Sequence, residues 1–244
     1  DMAGIEYPSA EAGEEWQLVT ATADLEDGEY IIVGQSQDGN VVYLPSTTNT
    51  SAAPSQKVIN VPGLDLTSTN SFKTTLIPED ARFTFTGSAS KMTIKNAEGK
   101  YLYATNTNNG LRVGSTSDTW VIAKNSNNAK ALTLKESTNS RYITLYKSQD
   151  WRSYTSVYGD TYNSNGQCGS VFIYKKLSKD PAISVETISV PATGATGEAS
   201  YTIKNMETDD VTATFATDWI SAEVVNGKIA YEVDPNYTGA ARTG

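Results

Sequence analysis

The chain contains no histidine and a single cysteine, Cys168, and those two shortages remove most catalytic classes at once. Ser-His-Asp and Cys-His mechanisms lose their base, and zinc sites built on histidine or paired cysteines have no ligands. One cysteine forms no intramolecular disulfide, so a cross-linked small scaffold is excluded. Without an activating base, Cys168 reads as a small buried hydrophobe. Basic charge is also scarce. With 19 Lys and Arg against 28 Asp and Glu the formal net charge is −9. No Lys/Arg-dense run interrupts that balance, so nucleic acid and anionic membrane surfaces are poor partners. No apolar run approaches the roughly 20 residues of a membrane span, and no export signal is visible at residue 1. Long apolar stripes of helical period are missing too. Neither Gly110-Leu-Arg-Val-Gly114 nor Gly194-Ala-Thr-Gly197 opens a helix, so nucleotide binding is set aside.

What is present is Thr, Ser, Asn, Val, Ile and Tyr in short alternating bursts, the composition of strands joined by polar turns. We therefore expect an all-β protein. Residues 1–15 show no periodicity and read as a disordered tether, such as would follow a removed export or lipoprotein signal. Ordered strands then begin with Trp16-Gln-Leu-Val19, Glu29-Tyr-Ile-Ile-Val33 and Val41-Val-Tyr-Leu44, separated by Asp-Gly turn chemistry. Residues 45–78 are too polar and too long for a hairpin loop and are expected to form an insertion over one face.

The middle of the chain repeats itself. Arg82-Phe-Thr-Phe85, Met92-Thr-Ile94 and Lys100-Tyr-Leu102 return as Thr119-Trp-Val-Ile122, Leu132-Thr-Leu134 and Arg141-Tyr-Ile143. The strands at 16–19, 29–33 and 41–44 supply a more diverged third copy. Units of this size cannot bury an apolar face alone and must share a core. The pattern over 16–177 resembles a β-trefoil, and its Gly-Lys-Tyr-Leu-Tyr run, Trp-x-Ile and closing Tyr-Lys are similar to modules of secreted Bacteroidetes proteins.

At Ser178-Lys-Asp-Pro181 a polar, proline-containing linker breaks the pattern. Strands expected at 183–185, 187–190, 199–203, 211–215, 219–220 and 228–233 suggest a β-sandwich. Pro191-Ala-Thr-Gly194, Asp218-Trp219-Ile220, Asn226-Gly227, Asn236 and Ala241-Arg242-Thr243-Gly244 occur in an order that resembles a BACON domain. That resemblance implies an immunoglobulin-like sandwich over 182–244, here without its last strand, on a surface protein of Bacteroidetes. It also implies that Trp219 serves the sandwich core.

The chemistry left by elimination is recognition by rings and amides, as in sugar binding. The segment from Gln149 to Asn165 is richest in such groups. Asp150, Trp151, Arg152, Tyr154, Tyr158 and Asn163 are the candidate ligand-binding residues, with Tyr103, Asn106 and Asn108 a weaker set. Asp38 with Asn40, and Asp209 with Asp210, lack the spacing of a calcium loop. The expected function is non-catalytic binding of a glycan or host mucin by a secreted or outer-membrane, lipid-anchored protein, with no cofactor and no metal. The alternative is a structural spacer or adhesion subunit without a glycan pocket. A glycosidase would instead need two acids facing across a cleft.

Overall fold

The computed structural model describes residues 13–177, 182–204, 211–214 and 217–244. The chain divides into two compact units, Asp1–Leu177 and Ser178–Gly244. The linker expected at 178–181 lies outside the described residues.

In the first unit β1 spans Glu14–Leu18, β2 Gly28–Gln35, β3 Val41–Tyr43, β4 Lys57–Val58, β5 Ser71–Thr74, β6 Arg82–Ser88 and β7 Lys91–Lys95. There follow β8 Tyr101–Ala104, β9 Leu111–Gly114, β10 Trp120–Lys124, β11 Leu132–Glu136, β12 Tyr142–Tyr146, β13 Asp150–Tyr154, β14 Gln167–Cys168 and β15 Phe172–Lys176. No α-helix occurs among the described residues.

Six of these strands form a closed ring. Antiparallel pairing runs β15–β2 (Ile173↔Ile32), β2–β6 (Tyr30↔Phe83), β6–β7 (Phe85↔Ile94), β7–β10 (Met92↔Trp120) and β10–β11 (Leu134↔Ile122). A bridge between Leu132 and Val171, just before β15, completes the circuit. Alternation then sends two side chains from each wall inward: Tyr30 and Ile32, Phe83 and Phe85, Met92 and Ile94, Trp120 and Ile122, Leu132 and Leu134, Val171 and Ile173, all buried in one cluster. Full burial of a side chain of this size contributes about 1.5–3 kcal/mol, so these twelve positions are a large part of the unit's hydrophobic stabilisation. The pairs β3–β4, β8–β9 and β12–β13 hang from the ring, one per copy.

The threefold plan is legible in three turns. The N–H of Ser36 donates to Asn40 O at 2.9 Å, that of Asn96 to Lys100 O at 2.9 Å, and that of Glu136 to Arg141 O at 2.7 Å. Each of these residues follows an inward-facing row and is itself buried, at 3%, 6% and 0% exposure. Asn96 and Glu136 accept turn N–H groups directly, whereas Ser36 donates to Asp38, whose carboxylate accepts the Asn40 N–H, so in every copy a polar side chain here serves the turn.

Two expectations need correction. Glu14 and Glu15, read as part of a tether, are the first residues of β1. Nor is β1 a ring strand: it lies outside, between β15 (Leu18↔Tyr174) and β5 (Trp16↔Phe72). The insertion does cover an outer face, and its scattered apolar residues do the sealing. Ile59, Val61, Leu66 and Ile77 pack with Trp16, Ile31, Val33, Phe172 and Tyr174 in a second cluster.

The second unit contains β16 Ala182–Val185, β17 Ala195–Lys204, β18 Ile220–Val225 and β19 Lys228–Val233. They form a single antiparallel sheet in the order β16-β17-β19-β18. Asn226 (φ 51°) and Gly227 (φ 76°) turn β18 into β19, the positive-φ pair that a two-residue hairpin requires. Among the described residues there is one sheet and not the two of the expected sandwich. Residues 187–190 and 211–214 are not in strands, and Phe215 lies outside the described residues. Alternation identifies an apolar face but does not supply the neighbouring strand that a ladder needs.

Candidate functional site

The segment picked from composition lies on β13 and the loop after it. β13 pairs along β12 with Tyr142↔Tyr154, Thr144↔Arg152, Leu145↔Trp151 and Tyr146↔Asp150. This register settles which way each side chain faces. Trp151 and Ser153 turn inward with 0% exposure. The Trp151 indole N–H donates to Tyr43 O at 3.0 Å and its backbone N–H to Pro54 O at 2.8 Å. Tyr154 is buried as well, covered edge-on by Tyr158 with ring centroids 5.3 Å apart. Neither is a stacking surface for a ligand: Trp151 belongs to the core cluster on the hairpin's inner face, and Tyr154, on the other face, is covered by Tyr158. Asn163 is exposed, yet its carboxamide closes its own turn. Nδ2 donates to Gln167 Oε1 at 2.8 Å, and Oδ1 accepts the N–H groups of Asn165 and Gln167 at 3.0 Å.

The outward face of the same hairpin carries a cluster. Arg152 Nε donates to Asp150 Oδ1 at 2.7 Å and Nη2 to Oδ2 at 3.3 Å, a fork geometry that fixes both side chains. The guanidinium lies 3.6 Å from the centroid of the half-buried Tyr146 ring, with the Lys147 ammonium 5.1 Å from that centroid. Gln56 holds the hairpin from below, its Nε2 donating to the carbonyls of Tyr146, Lys147 and Asp150 at 3.4, 3.1 and 3.0 Å. At the tip, Ser148 Oγ accepts the Asp38 N–H at 2.8 Å. Of the six candidates, Asp150 and Arg152 are brought together on the outer face, half-buried, with side chains 13% and 20% exposed. Tyr146 and Gln56 were not anticipated. Tyr146 could have been found by folding the hairpin about residues 147–149, which sets it opposite Asp150.

Of the weaker set, Asn106 and Asn108 meet at Arg141. Tyr103 is buried at 8% exposure. Asn106 and Asn108 both accept from the buried Arg141, at 3.2 and 2.9 Å, and Arg141 also donates to Ser153 O at 3.0 Å.

Burial raises several ionisable groups, the tyrosines Tyr30, Tyr43, Tyr162 and Tyr174 among them, and two others bear on chemistry. Burial, and then a hydrogen bond to the Asp118 carboxyl, push Glu136 up to about 7. This acid pair is sealed, with Glu136 0% and Asp118 8% exposed, so it lines no cleft for a substrate. Burial likewise raises the thiol of Cys168. Asp38 bonds to Asn40 N–H and Ser36 within its own turn, and Asp209 and Asp210 lie outside the described residues. Among the described residues no group of three or more Cys, Asp or Glu is placed to hold a metal ion, and no helix is long and apolar enough to cross a membrane.

In the second unit the residues of the sequence motif converge. The Arg242 guanidinium sits 4.1 Å from the Trp219 ring centroid and donates to Asp234 O at 2.7 Å. Asn236 donates from its backbone to Ala192 O and from Nδ2 to Ala240 O, each at 2.7 Å. Trp219 is half-buried.

No family model matches the chain, and no curated protein does. Among solved structures, the Polyporus squamosus lectin, bound in its crystal to the human-type influenza-binding epitope Neu5Aca2-6Galb1-4GlcNAc, is similar at 14% identity and a TM-score of 0.43. The match covers 66% of this chain and 51% of the lectin, so the chain spans about half of that protein's length.

Proposed function

We propose that this chain is an extracytoplasmic, non-catalytic carbohydrate-binding protein that holds its glycan on the outer face of the β12–β13 hairpin. The observation that carries the reading is the Asp150–Arg152–Tyr146 cluster. A carboxylate and a guanidinium locked against a phenol offer paired acceptors and donors for vicinal hydroxyls, and their rotamer entropy is already lost before binding. The ring of six strands with three hairpins supports a β-trefoil-like first unit. The meeting of Trp219, Asn236 and Arg242 supports a BACON-like second unit, and with it a place on the surface of, or secretion from, a Bacteroidetes cell, with host mucin among the glycans. The test is a glycan array probed with the whole chain and with an Asp150→Ala/Arg152→Ala double variant of unchanged melting temperature. Binding that the double variant loses supports the reading; binding that it keeps moves the site elsewhere.

A second reading, a spacer or adhesion subunit with no glycan pocket, is favoured by one specific fact. Trp151 and Tyr154 are buried, whereas sugar stacking needs an open ring face. An array on which the wild-type chain is silent selects this reading.

A further inference from the structure

We propose that the buried carboxyl pair Glu136–Asp118 is a proton-operated clasp that sets the conformation of the β8–β9 hairpin loop, residues 105–110. The inference is independent of any glycan.

Connectivity comes first. The Glu136 carboxyl organises the 136–141 turn: Oε1 accepts the Thr138 N–H at 3.0 Å and Asn139 Nδ2 at 3.3 Å, and Oε2 accepts the Asn139 N–H at 2.7 Å. The same Asn139 Nδ2 donates to Ala104 O, at the end of β8, at 2.9 Å. From the other end of the turn, Arg141 grips Asn106 and Asn108 within the loop. Trp120, paired with Glu136 across β10 and β11, donates its indole N–H to Leu102 O at 2.9 Å. Asn139 and Trp120 thus hold β8 at the base of the loop, and Arg141 holds the loop itself, which Ser153 of β13 also pins through Asn108 O at 2.9 Å and Thr107 O at 3.2 Å.

The surroundings make that carboxyl sensitive to its proton. Asp118 faces it from the segment before β10, with Oδ1 taking the Thr119 N–H at 2.7 Å. Arg141, at the entry to β12, spends its guanidinium on Asn106, Asn108 and Ser153 O. Lys135 turns away, its ammonium 5.8 Å from the Tyr142 ring centroid. Among the described residues no Lys or Arg makes an ion pair with either acid. With one proton the two carboxyls share an O–H···O bond. With none, two like charges meet out of water and must separate. The ring itself does not require this, because the equivalent buried positions are the neutral Ser36 and Asn96. Near-neutral titration of Glu136 follows from its burial and from Asp118.

The experiment is ¹H–¹⁵N NMR of the whole chain from about pH 5.5 to about pH 8.5, a range that spans that titration. The probes are the Trp120 indole N–H, the Asn139 side-chain amide and the backbone amides of 105–110. In the wild type these should move together in one proton step near neutrality. Asp118→Asn, which replaces the like charge by a donor, should displace the step to acid by about a unit or more. Glu136→Gln should abolish it. Loop amides that stay still while Glu136 titrates, or a step with the same midpoint in both variants, overturn the clasp.

Discussion

The acid stability of the first unit should depend on Glu14, the first residue of β1. Its carboxylate takes Arg82 as a two-point partner, Oε1 from Nη1 at 3.0 Å and Oε2 from Nη2 at 2.7 Å, and Lys176 Nζ lies 2.6 Å away. Arg82 also reaches Glu29 at 2.7 Å and Ile77 O at 3.0 Å, tying β1 to β2 and β6. The Arg82 hydrogen bonds outweigh burial and hold Glu14 at about 2, against an ordinary 4.5. A lowered carboxyl adds stability that is present above its unfolded value and is lost as the pH falls through the folded one. Here the loss runs from about pH 4.5 to about pH 2. At about 1.4 kcal/mol per unit the ceiling is about 3 kcal/mol, and because the side chain is 30% exposed solvent screening reduces this to about 1–2 kcal/mol. Glu14→Gln keeps the shape and removes the charge. It should lower the melting temperature by about 3–7 °C near pH 7, and the difference should vanish near pH 2. Urea or calorimetric unfolding at several pH values measures this. A variant as stable as the wild type at neutrality, or a deficit that persists unchanged at pH 2, would refute the reasoning.

Trp151→Ala should destabilise the first unit by about 3–5 kcal/mol through cavity formation, with Tyr43 O left unpaired. Chemical denaturation is the check, and a loss well under a kcal/mol would contradict the burial. Cys168, 4% exposed with its thiol raised by burial, should react with a thiol reagent only as fast as the unit opens. Labelling of the native protein at the rate of a free peptide thiol would place it at the surface.

Much of the ring was legible because alternation is a local signal. Phe83 with Phe85, and Trp120 with Ile122, stand two apart and point the same way wherever the strand goes. The Asn226-Gly227 turn is also a local property, since its conformation belongs to the two residues themselves. What was not legible depends on distant partners. Glu14 looked like tether because its value to the fold is an ion pair with residue 82. Glu136 and Asp118 sit in Ser/Thr/Asn-rich stretches that read as solvated turns, and they are buried only because β10 and β11 pair. On β13 composition grouped Trp151 with Asp150 and Arg152, although alternation puts them on opposite faces. Alternation did not say which face was inside, because Trp151 shares its face with Ser153. Tyr154, on the opposite parity, is buried because Tyr158 folds back over it.

The amides carry the clearest consequence for function. An asparagine-rich loop resembles a sugar site on composition, but in this unit most such side chains already have work within the fold. Asn49 Oδ1 accepts from Ser51 and Ala52 N–H, Asn96 from Glu98 and Lys100, Asn125 from Asn127, Asn128 from Lys130, and Asn163 from Asn165 and Gln167. Short strands end often, each end leaves N–H groups without a ladder partner, and asparagine is the side chain that reaches forward two residues along the chain to satisfy them. A high asparagine content is therefore what a ring of short strands needs, whether or not it binds anything. That reasoning removes Asn163 from the candidate site and leaves Asp150 and Arg152 standing. They sit inside a regular strand whose ladder is complete without their side chains, so the turns of the fold do not account for them.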